Sequence, residues 1–385
     1  MTLTADTDGR GRSRAPLIFI SAGEPSGDLH GAGLARALRE RIPGVRLIGL
    51  GGARMVAEGV ELLATVEDLA VMGFAEVAAR LPFFVKLRRR VFSVVERERV
   101  DLVIPIDYPG FNLRLARFAH DRGVKVLYYI APQVWAWHAS RAADLARDTD
   151  EVAVILPFEE EFLRKAGASA KFVGHPLLDL PAPSRPREEV LRGWGLDPQR
   201  PVLALFPGSR PQEVRRHLDL FNAAAAAVQR ERPEVQPIIG ASPDLDREVF
   251  AGARWPLADD PRALLHHTTA ALVKSGTTTL EAALAETPFV VAYRMNPLSY
   301  RIARRLVKVP HIALANLVAE ERLAPELVQE AATPETLRDA ALPLLDLHSS
   351  ERQRMVEGLR RVRARLGGEG AARRVAEDAA ALLGR

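Results

Sequence analysis

Short runs of consecutive apolar residues alternate along this chain with longer stretches whose apolar positions recur every three or four residues. The first pattern predicts strands and the second helices. Strands are expected at Leu17–Ser21, Arg46–Leu50, Leu102–Ile106, Lys125–Ile130, Glu151–Leu156 and Lys171–Val173 in the first half. In the second half they are expected at Val202–Phe206, Gln236–Ile239, Ala270–Val273 and Phe289–Tyr293. Many are apolar at every position, the mark of strands covered on both faces by helices. Such alternation predicts α/β architecture, with parallel sheets and right-handed crossovers. Six prolines (176, 181, 183, 186, 198 and 201) then crowd one stretch. Proline at that density stops helices and central strands, so the stretch reads as a linker with one short helix, Arg187–Trp194. The expected result is two doubly wound domains, 15–180 and 201–365, around a linker at 181–200. Ligands of such sheets bind outside the carboxyl ends of the strands, here facing a cleft between the domains.

Composition narrows this picture only modestly. The chain has 385 residues, 48% of them hydrophobic and 26% charged, as in an ordinary globular protein of two domains. A net charge of +4 gives no argument for nucleic acid and a mild preference for anionic partners. With no cysteine, disulfides, thiolate metal sites and cysteine nucleophiles are excluded. Residues 1–14 are polar, lack the apolar core of a signal peptide and read as a disordered tail. No apolar run reaches the roughly 18–20 residues of a membrane span, so any membrane contact is expected to be peripheral.

Candidate chemistry gathers where strands are expected to end. Ser275-Gly276-Thr277-Thr278 follows one apolar run and opens an Ala-rich helix. A small-residue turn at a helix start presents free backbone N–H groups, suited to a phosphate or diphosphate. Glu281 lies one turn further in, where a carboxylate can accept hydrogen bonds from a ribose. Thr278-x-x-Glu281 equally fits a capping box, which needs no ligand. Leu205–Arg210 pairs the Gly208-Ser209 turn with Arg210, a combination suited to a diphosphate, with Glu213, Arg215 and Arg216 following. Arg215 and Arg216 also read as solvated helix residues.

In the first half, a Gly-rich turn after Leu17–Ser21 carries Glu24, Ser26, Gly27, Asp28 and His30. It is not GxGxxG, so no dinucleotide fingerprint is present. Ser26 or Asp28 serves as an N-cap in the plain reading, which leaves Glu24 and His30 unexplained. Asp107 follows Leu102–Ile106 in Ile-Asp-Tyr-Pro-Gly-Phe-Asn112. Partial burial would make it a general base, although Asp and Asn beside Pro-Gly also suit a simple turn. Ala131–Trp137 holds two tryptophans, either a surface for a sugar or acyl chain or a wedge within its own domain. His175, before the linker, is a phosphate donor or a turn residue. Five such loops together favour one cleft, with an anion site in the second domain and chemistry in the first. Separately, Phe83, Phe84, Leu87, Val91 and Val94 recur at helical spacing among Lys86, Arg88, Arg89 and Arg90. That pattern suits an anionic membrane surface or a helix packed on its own sheet. His266-His267 does not share a helix face, and no metal is expected.

These segments resemble the lipid-A-disaccharide synthases. The resemblance runs from about Leu17 to the C-terminus, through AGEPSGDLHGAGL (22–34), IDYPGFNLRLA (106–116), APQVWAW (131–137), LPFEEEFLRKAG (156–167), LFPGSRPQEVRR (205–216), SGTTTLEAAL (275–284) and RRLVKVPHIALANLVA (304–319). It implies a GT-B glycosyltransferase with two Rossmann-like domains facing a cleft, and with segment 366–385 returning to the first. The implied reaction joins UDP-2,3-diacylglucosamine to 2,3-diacylglucosamine 1-phosphate (lipid X), with inversion, giving the β-1,6-linked lipid A disaccharide 1-phosphate and UDP. No cofactor and no obligatory metal are implied. The setting implied is peripheral, at the cytoplasmic face of the inner membrane, and the family admits a homodimer.

Asp107 is the implied base, with Glu24 and His30 as rivals. The implied UDP-sugar contacts are Ser26, Gly27, Asn112, His175, Gly208, Ser209, Arg210, Ser275, Gly276, Thr277, Thr278, Glu281 and Asn316. Val71, Met72, Phe74, Phe83, Phe84, Arg88, Arg89 and Arg90 become an acyl-chain or membrane surface. The chain departs from the usual pattern at Tyr108, at Gly110, at Ala131-Pro-Gln133, and at Lys274, where a small residue is usual. A UDP-N-acetylglucosamine 2-epimerase type of enzyme, which needs no acyl-chain surface, and a non-catalytic nucleotide-sugar-binding protein are the alternatives.

Overall fold

The computed structural model describes residues 14–69, 81–137, 141–297, 300–301 and 309–385. The chain folds as two compact units. One runs to Asp179 and takes in Gly368–Arg385, and the other is Leu180–Gly367. Of the polar segment 1–14 only Arg14 is described, and its guanidinium pairs with Asp101.

The first unit is built on strands β1 (Leu17–Ala22), β2 (Arg46–Gly51), β3 (Glu61–Thr65), β4 (Leu102–Ile106), β5 (Lys125–Tyr129), β6 (Glu151–Val154) and β7 (Ala170–Phe172). Their order in the sheet is β3-β2-β1-β4-β5-β6-β7, with parallel pairing throughout. The second unit holds β8 (Val202–Phe206), β9 (Gln236–Gly240), β10 (Leu257–Ala258), β11 (Ala270–Lys274), β12 (Phe289–Tyr293) and β13 (Glu326–Val328). Their order is β10-β9-β8-β11-β12-β13, again all parallel. Each sheet reverses direction of growth once, between β1 and β4 and between β8 and β11. Those are the topological switch points at which doubly wound sheets bind ligands.

All positions of β1, β4 and β8 are buried, as their unbroken apolar sequence requires. The strands without a predicted counterpart, β3, β10 and β13, are short and lie at or near sheet edges. β3 and β13 are partly exposed along their length and so carry no continuous apolar run.

Six α-helices among the described residues start with proline, at Pro25, Pro109, Pro157, Pro211, Pro261 and Pro334. A first-turn proline has its φ pre-set and forfeits no intrahelical hydrogen bond. In the proline-rich stretch, the helix Arg187–Gly193 buries Val190 and Leu191, and the Arg187 guanidinium donates to the His267 carbonyl. That stretch is therefore packed onto the second unit rather than slack.

The C-terminal helix Ala371–Leu382 packs on the helix Pro25–Arg41 of the first unit. Val375, Ala376, Ala379 and Ala380 join Leu34 and Leu38 in one buried cluster. Asp179 holds its start, accepting from the backbone N–H groups of Gly370 (2.5 Å), Ala371 (3.3 Å) and Ala372 (3.1 Å). Arg374 donates from the same helix to the Val173 carbonyl at 2.8 Å.

Candidate functional site

In the first unit the polar loops sit where the switch-point rule puts them. Register pairs Ala22 of β1 with Ile106 of β4, so Gly23 and Asp107 leave the sheet side by side. Glu24 is the extended N-cap of the helix Pro25–Arg41, and its side chain makes no capping bond. Ser26 is exposed and Gly27 is buried against Ala22. Asp28, by contrast, is fully committed. Its carboxylate accepts from the N–H groups of Gly52 (2.7 Å), Arg54 (3.2 Å) and Met55 (3.0 Å), so it caps the short helix Ala53–Ala57 of a different segment.

Asp107 is exposed, not partly buried as the base reading supposed, so its candidacy rests on placement at the strand end. Tyr108 lies beside it, with its ring against Gly23. A Cβ on Gly23 would fall 2.3 Å from that ring, so glycine is required there. Burial, and then the Glu24 charge, raise the Tyr108 phenol above its ordinary pKa.

Three of the residues expected to contact the UDP-sugar are buried. Asn112 is completely buried. Its Oδ1 accepts from Ser21 Oγ at 2.6 Å, and its Nδ2 donates to the carbonyls of Ser21, Ile106 and Asp107 at 3.0, 3.1 and 2.9 Å. With its capacity spent, Asn112 ties the ends of β1 and β4 together instead of touching a sugar. Asn316 is equally buried, bonding Ala324 through both amide atoms (2.9 and 2.8 Å) and Glu326 at 2.8 Å. It braces the second unit's backbone. His175 is buried, and its Nδ1 accepts from the Leu177 N–H at 3.2 Å, which places the neutral ring's proton on Nε2. Burial and the neighbouring His30 push its pKa down to about 3, so it is not a phosphate cation at neutral pH. His30 is lowered to about 4 by burial, against the opposing pull of Asp179, so its ring is neutral at neutral pH.

The tryptophan loop has a partner that sequence reasoning overlooked. Trp135 Nε1 donates to Glu159 Oε1 at 3.0 Å, and the other oxygen of Glu159 accepts from the N–H groups of Leu156 (3.0 Å) and Ile155 (3.3 Å). Glu159 is buried, and that burial raises its pKa to about 7. Trp135 packs edge-on against Phe158 at 5.1 Å. The wedge reading of Trp135 therefore holds in part. The side chain of Trp137 lies outside the described residues.

In the second unit, register pairs Phe206 with Val273, so the Gly208–Arg210 and Ser275–Thr278 turns leave β8 and β11 together. Gly208 has φ +144°, and a Cβ there would meet the Cβ of Glu213 at 2.4 Å. Ser209 and Arg210 are exposed, while Ser275 Oγ donates to the Ile312 carbonyl at 2.7 Å. The capping-box alternative is not formed. Thr277 is the N-cap, without a side-chain bond, and it is Thr279 that donates to the Gly276 carbonyl. Glu281 is half-buried, and burial raises its pKa against the opposing charge of Arg262.

Lys274 closes β11 with its Nζ 2.6 Å from Glu213 Oε1. Glu213 also accepts from the Ser209 N–H (3.1 Å), and Arg210 lies 3.8 Å away. Burial would raise the Glu213 carboxyl, but Lys274, the Ser209 N–H and Arg210 outweigh it and hold the pKa low. Lys274 at the end of β11 and Arg210 in the turn after β8 thus converge with the Ser209 N–H on one carboxylate, the kind of donor set that a diphosphate also needs.

On the helix Leu81–Arg97 the apolar stripe faces inward. Leu87, Val91 and Val95 are buried, and Phe83 and Phe84 pack against the same core. Arg89 and Arg90 are exposed, Arg88 is intermediate, and Arg90 also donates to the Leu63 carbonyl. The packed-helix reading therefore accounts for the stripe. Val71, Met72 and Phe74 lie outside the described residues. No helix among the described residues is long and apolar enough to cross a membrane. Nor does any cluster of three or more His, Cys, Asp or Glu among them suit a metal ion.

A sequence profile of the lipid-A-disaccharide synthetase family matches residues 18–379. The lipid-A-disaccharide synthase of Acidobacterium capsulatum is 43% identical over 97% of this chain and 98% of its own length. That of Myxococcus xanthus is 40% identical over 96% and 98%. The chain belongs to the lipid-A-disaccharide synthase family. It is thus an enzyme, a glycosyltransferase of lipid A biosynthesis, and the epimerase and binding-protein alternatives fall away.

Solved structures agree on the fold. The calicheamicin glycosyltransferase superposes with a TM-score of 0.61 at 21% identity, over 97% of this chain and 99% of that one. The UDP-GlcNAc 2-epimerase of Neisseria meningitidis bound to UDP-GlcNAc gives 0.62 at 9% identity, over 95% and 99%. At those identities the likeness is one of architecture, and the GT-B fold class expected of a lipid-A-disaccharide synthase is the one observed.

Proposed function

We propose that this synthase transfers 2,3-diacylglucosamine from UDP-2,3-diacylglucosamine to the 6-hydroxyl of lipid X, with inversion at the donor carbon. The acceptor oxygen forms a bond to C1 of the donor sugar as the bond from C1 to the UDP oxygen breaks. UDP leaves with that electron pair, and the acceptor's proton passes to the Asp107 carboxylate. The product is the β-1,6-linked disaccharide 1-phosphate. The observation that carries this reading is Asp107 itself, an exposed carboxylate beside the switch point of the first sheet in a member of this family.

Arg210, Lys274 and the Ser275–Thr278 turn are assigned to the diphosphate of the departing UDP, and Glu281 to its ribose. Charge that develops on a leaving group is best met by donors already in place. Ser26 and Gly27 line the Asp107 side of the first unit. The exposed arginines of the helix Leu81–Arg97 are proposed to meet anionic lipid at the cytoplasmic face of the inner membrane, where both substrates reside.

Asp107→Asn is the direct test. It is expected to bind UDP as the wild type does and to lose roughly a thousandfold in kcat, the range of a removed general base. Product made by the wild type should be β-linked by NMR. Undiminished turnover by Asp107→Asn would remove Asp107 as the base.

A further inference from the structure

Three residues other than glycine adopt left-handed backbone at the neighbouring ends of β4 and β5. They are Asp107 (φ 43°), Tyr108 (φ 48°) and Ile130 (φ 60°). Side chains on L-residues rarely tolerate this region, and it persists only where surrounding structure over-determines it. Here the surroundings are explicit. The Asp107 carbonyl accepts from the Tyr128 hydroxyl at 2.7 Å and from Asn112 Nδ2 at 2.9 Å. The Asp107 N–H donates to the carbonyls of Tyr129 (3.3 Å) and Ile130 (3.2 Å). Asn112 is itself locked to Ser21, so the tie reaches back to β1.

We propose that Tyr128, acting together with Asn112, is a positioning residue for Asp107. Its buried hydroxyl grips the Asp107 carbonyl and holds that peptide in the left-handed turn that leaves the carboxylate exposed at the strand end.

The ring of Tyr128 is fully buried in the core of the first unit, where apolar packing alone would be served as well by phenylalanine. Its hydroxyl spends its hydrogen bond on the carbonyl of the residue that carries the candidate base. Burial also raises the phenol's pKa well above the ordinary value, so the hydroxyl remains a donor at any working pH. An aspartate whose backbone is fixed at both its N–H and its C=O approaches the acceptor with little freedom left to lose, which is worth rate rather than affinity.

This inference rests on the reading of Asp107 as base, and the test separates the two. Tyr128→Phe keeps the ring and removes only the hydroxyl. Its kcat is expected to fall about tenfold, with KM for donor and acceptor within about twofold, since transition-state placement and not binding is lost. In an Asp107→Asn background the same change should cost nothing further, because two residues acting through one group are not additive. An unchanged kcat with a lowered melting temperature would show a packing role only and overturn the proposal. So would an equal loss in both backgrounds. If Asp107→Asn keeps full turnover, the base reading falls first. If Asp107→Asn is inactive while Tyr128→Phe is not impaired, the positioning role alone is wrong.

Discussion

At neutral pH the first unit holds two uncharged imidazoles, the half-buried His30 with a pKa of about 4 and the buried His175 with one of about 3, both lowered chiefly by desolvation. Unfolding returns each to about 6.5, so below that pH the unfolded chain binds more protons than the folded one. Their contribution is whole above about pH 6.5 and drains away as pH falls toward 4. Glu159 runs the other way. Its pKa is raised to about 7, so its stabilising contribution is present below the unfolded value and lost as pH rises through 7. The variant difference is therefore a cleaner measure than the raw profile. His175→Gln, which still offers an acceptor to the Leu177 N–H, should lose less melting temperature than the wild type between pH 7 and pH 5. Parallel losses would contradict the assignment. The same scale shows what sequence can and cannot resolve. The placement of Asp107, Arg210 and Ser275–Thr278 at strand ends is legible because each follows an apolar run. The burial of Asn112 and Asn316 is not legible, because an asparagine bracing backbone looks the same in sequence as one touching a ligand. Glu159 was passed over because its partner, Trp135, is distant in sequence, within an unremarked helix start.

Among elements, the buried strands are readable, and of the edge strands only β7 is, at Ala170–Phe172, while β3, β10 and β13 are not. β3 and β13 lack an unbroken apolar run because one side of each meets solvent. Proline reads as a breaker in sequence, yet six α-helices among the described residues start with it; the one short helix expected in the proline-rich stretch is observed at Arg187–Gly193, packed through Val190 and Leu191. The return of the last helix was implied by resemblance, while its fastening was not foreseen. One carboxylate, Asp179, caps the helix Ala371–Leu382 beside the point where the chain re-enters the first unit. Losing a cap of this kind costs about 1–2 kcal/mol. Asp179→Ala should therefore lower the urea midpoint and speed amide exchange within 370–382, with little change in the strands of the second sheet. Uniform exchange across both units would argue that the cap has no local role.

At the scale of the whole molecule, each unit carries one switch point of the same kind. In the first unit the turns beside β1 and β4 offer a carboxylate on a constrained backbone. In the second, Lys274 at the end of β11 gathers with Arg210 and the Ser209 N–H of the turn after β8 around Glu213. Displacing UDP from a sugar with a hydroxyl nucleophile requires a base and charge stabilisation of the leaving group, the roles proposed above for these two sets of residues. The most direct test follows UDP release from UDP-2,3-diacylglucosamine in detergent, with and without lipid X. Release that depends on lipid X, together with a disaccharide 1-phosphate product, is the predicted result. UDP released at the same rate without the acceptor, with no disaccharide formed, would contradict the account.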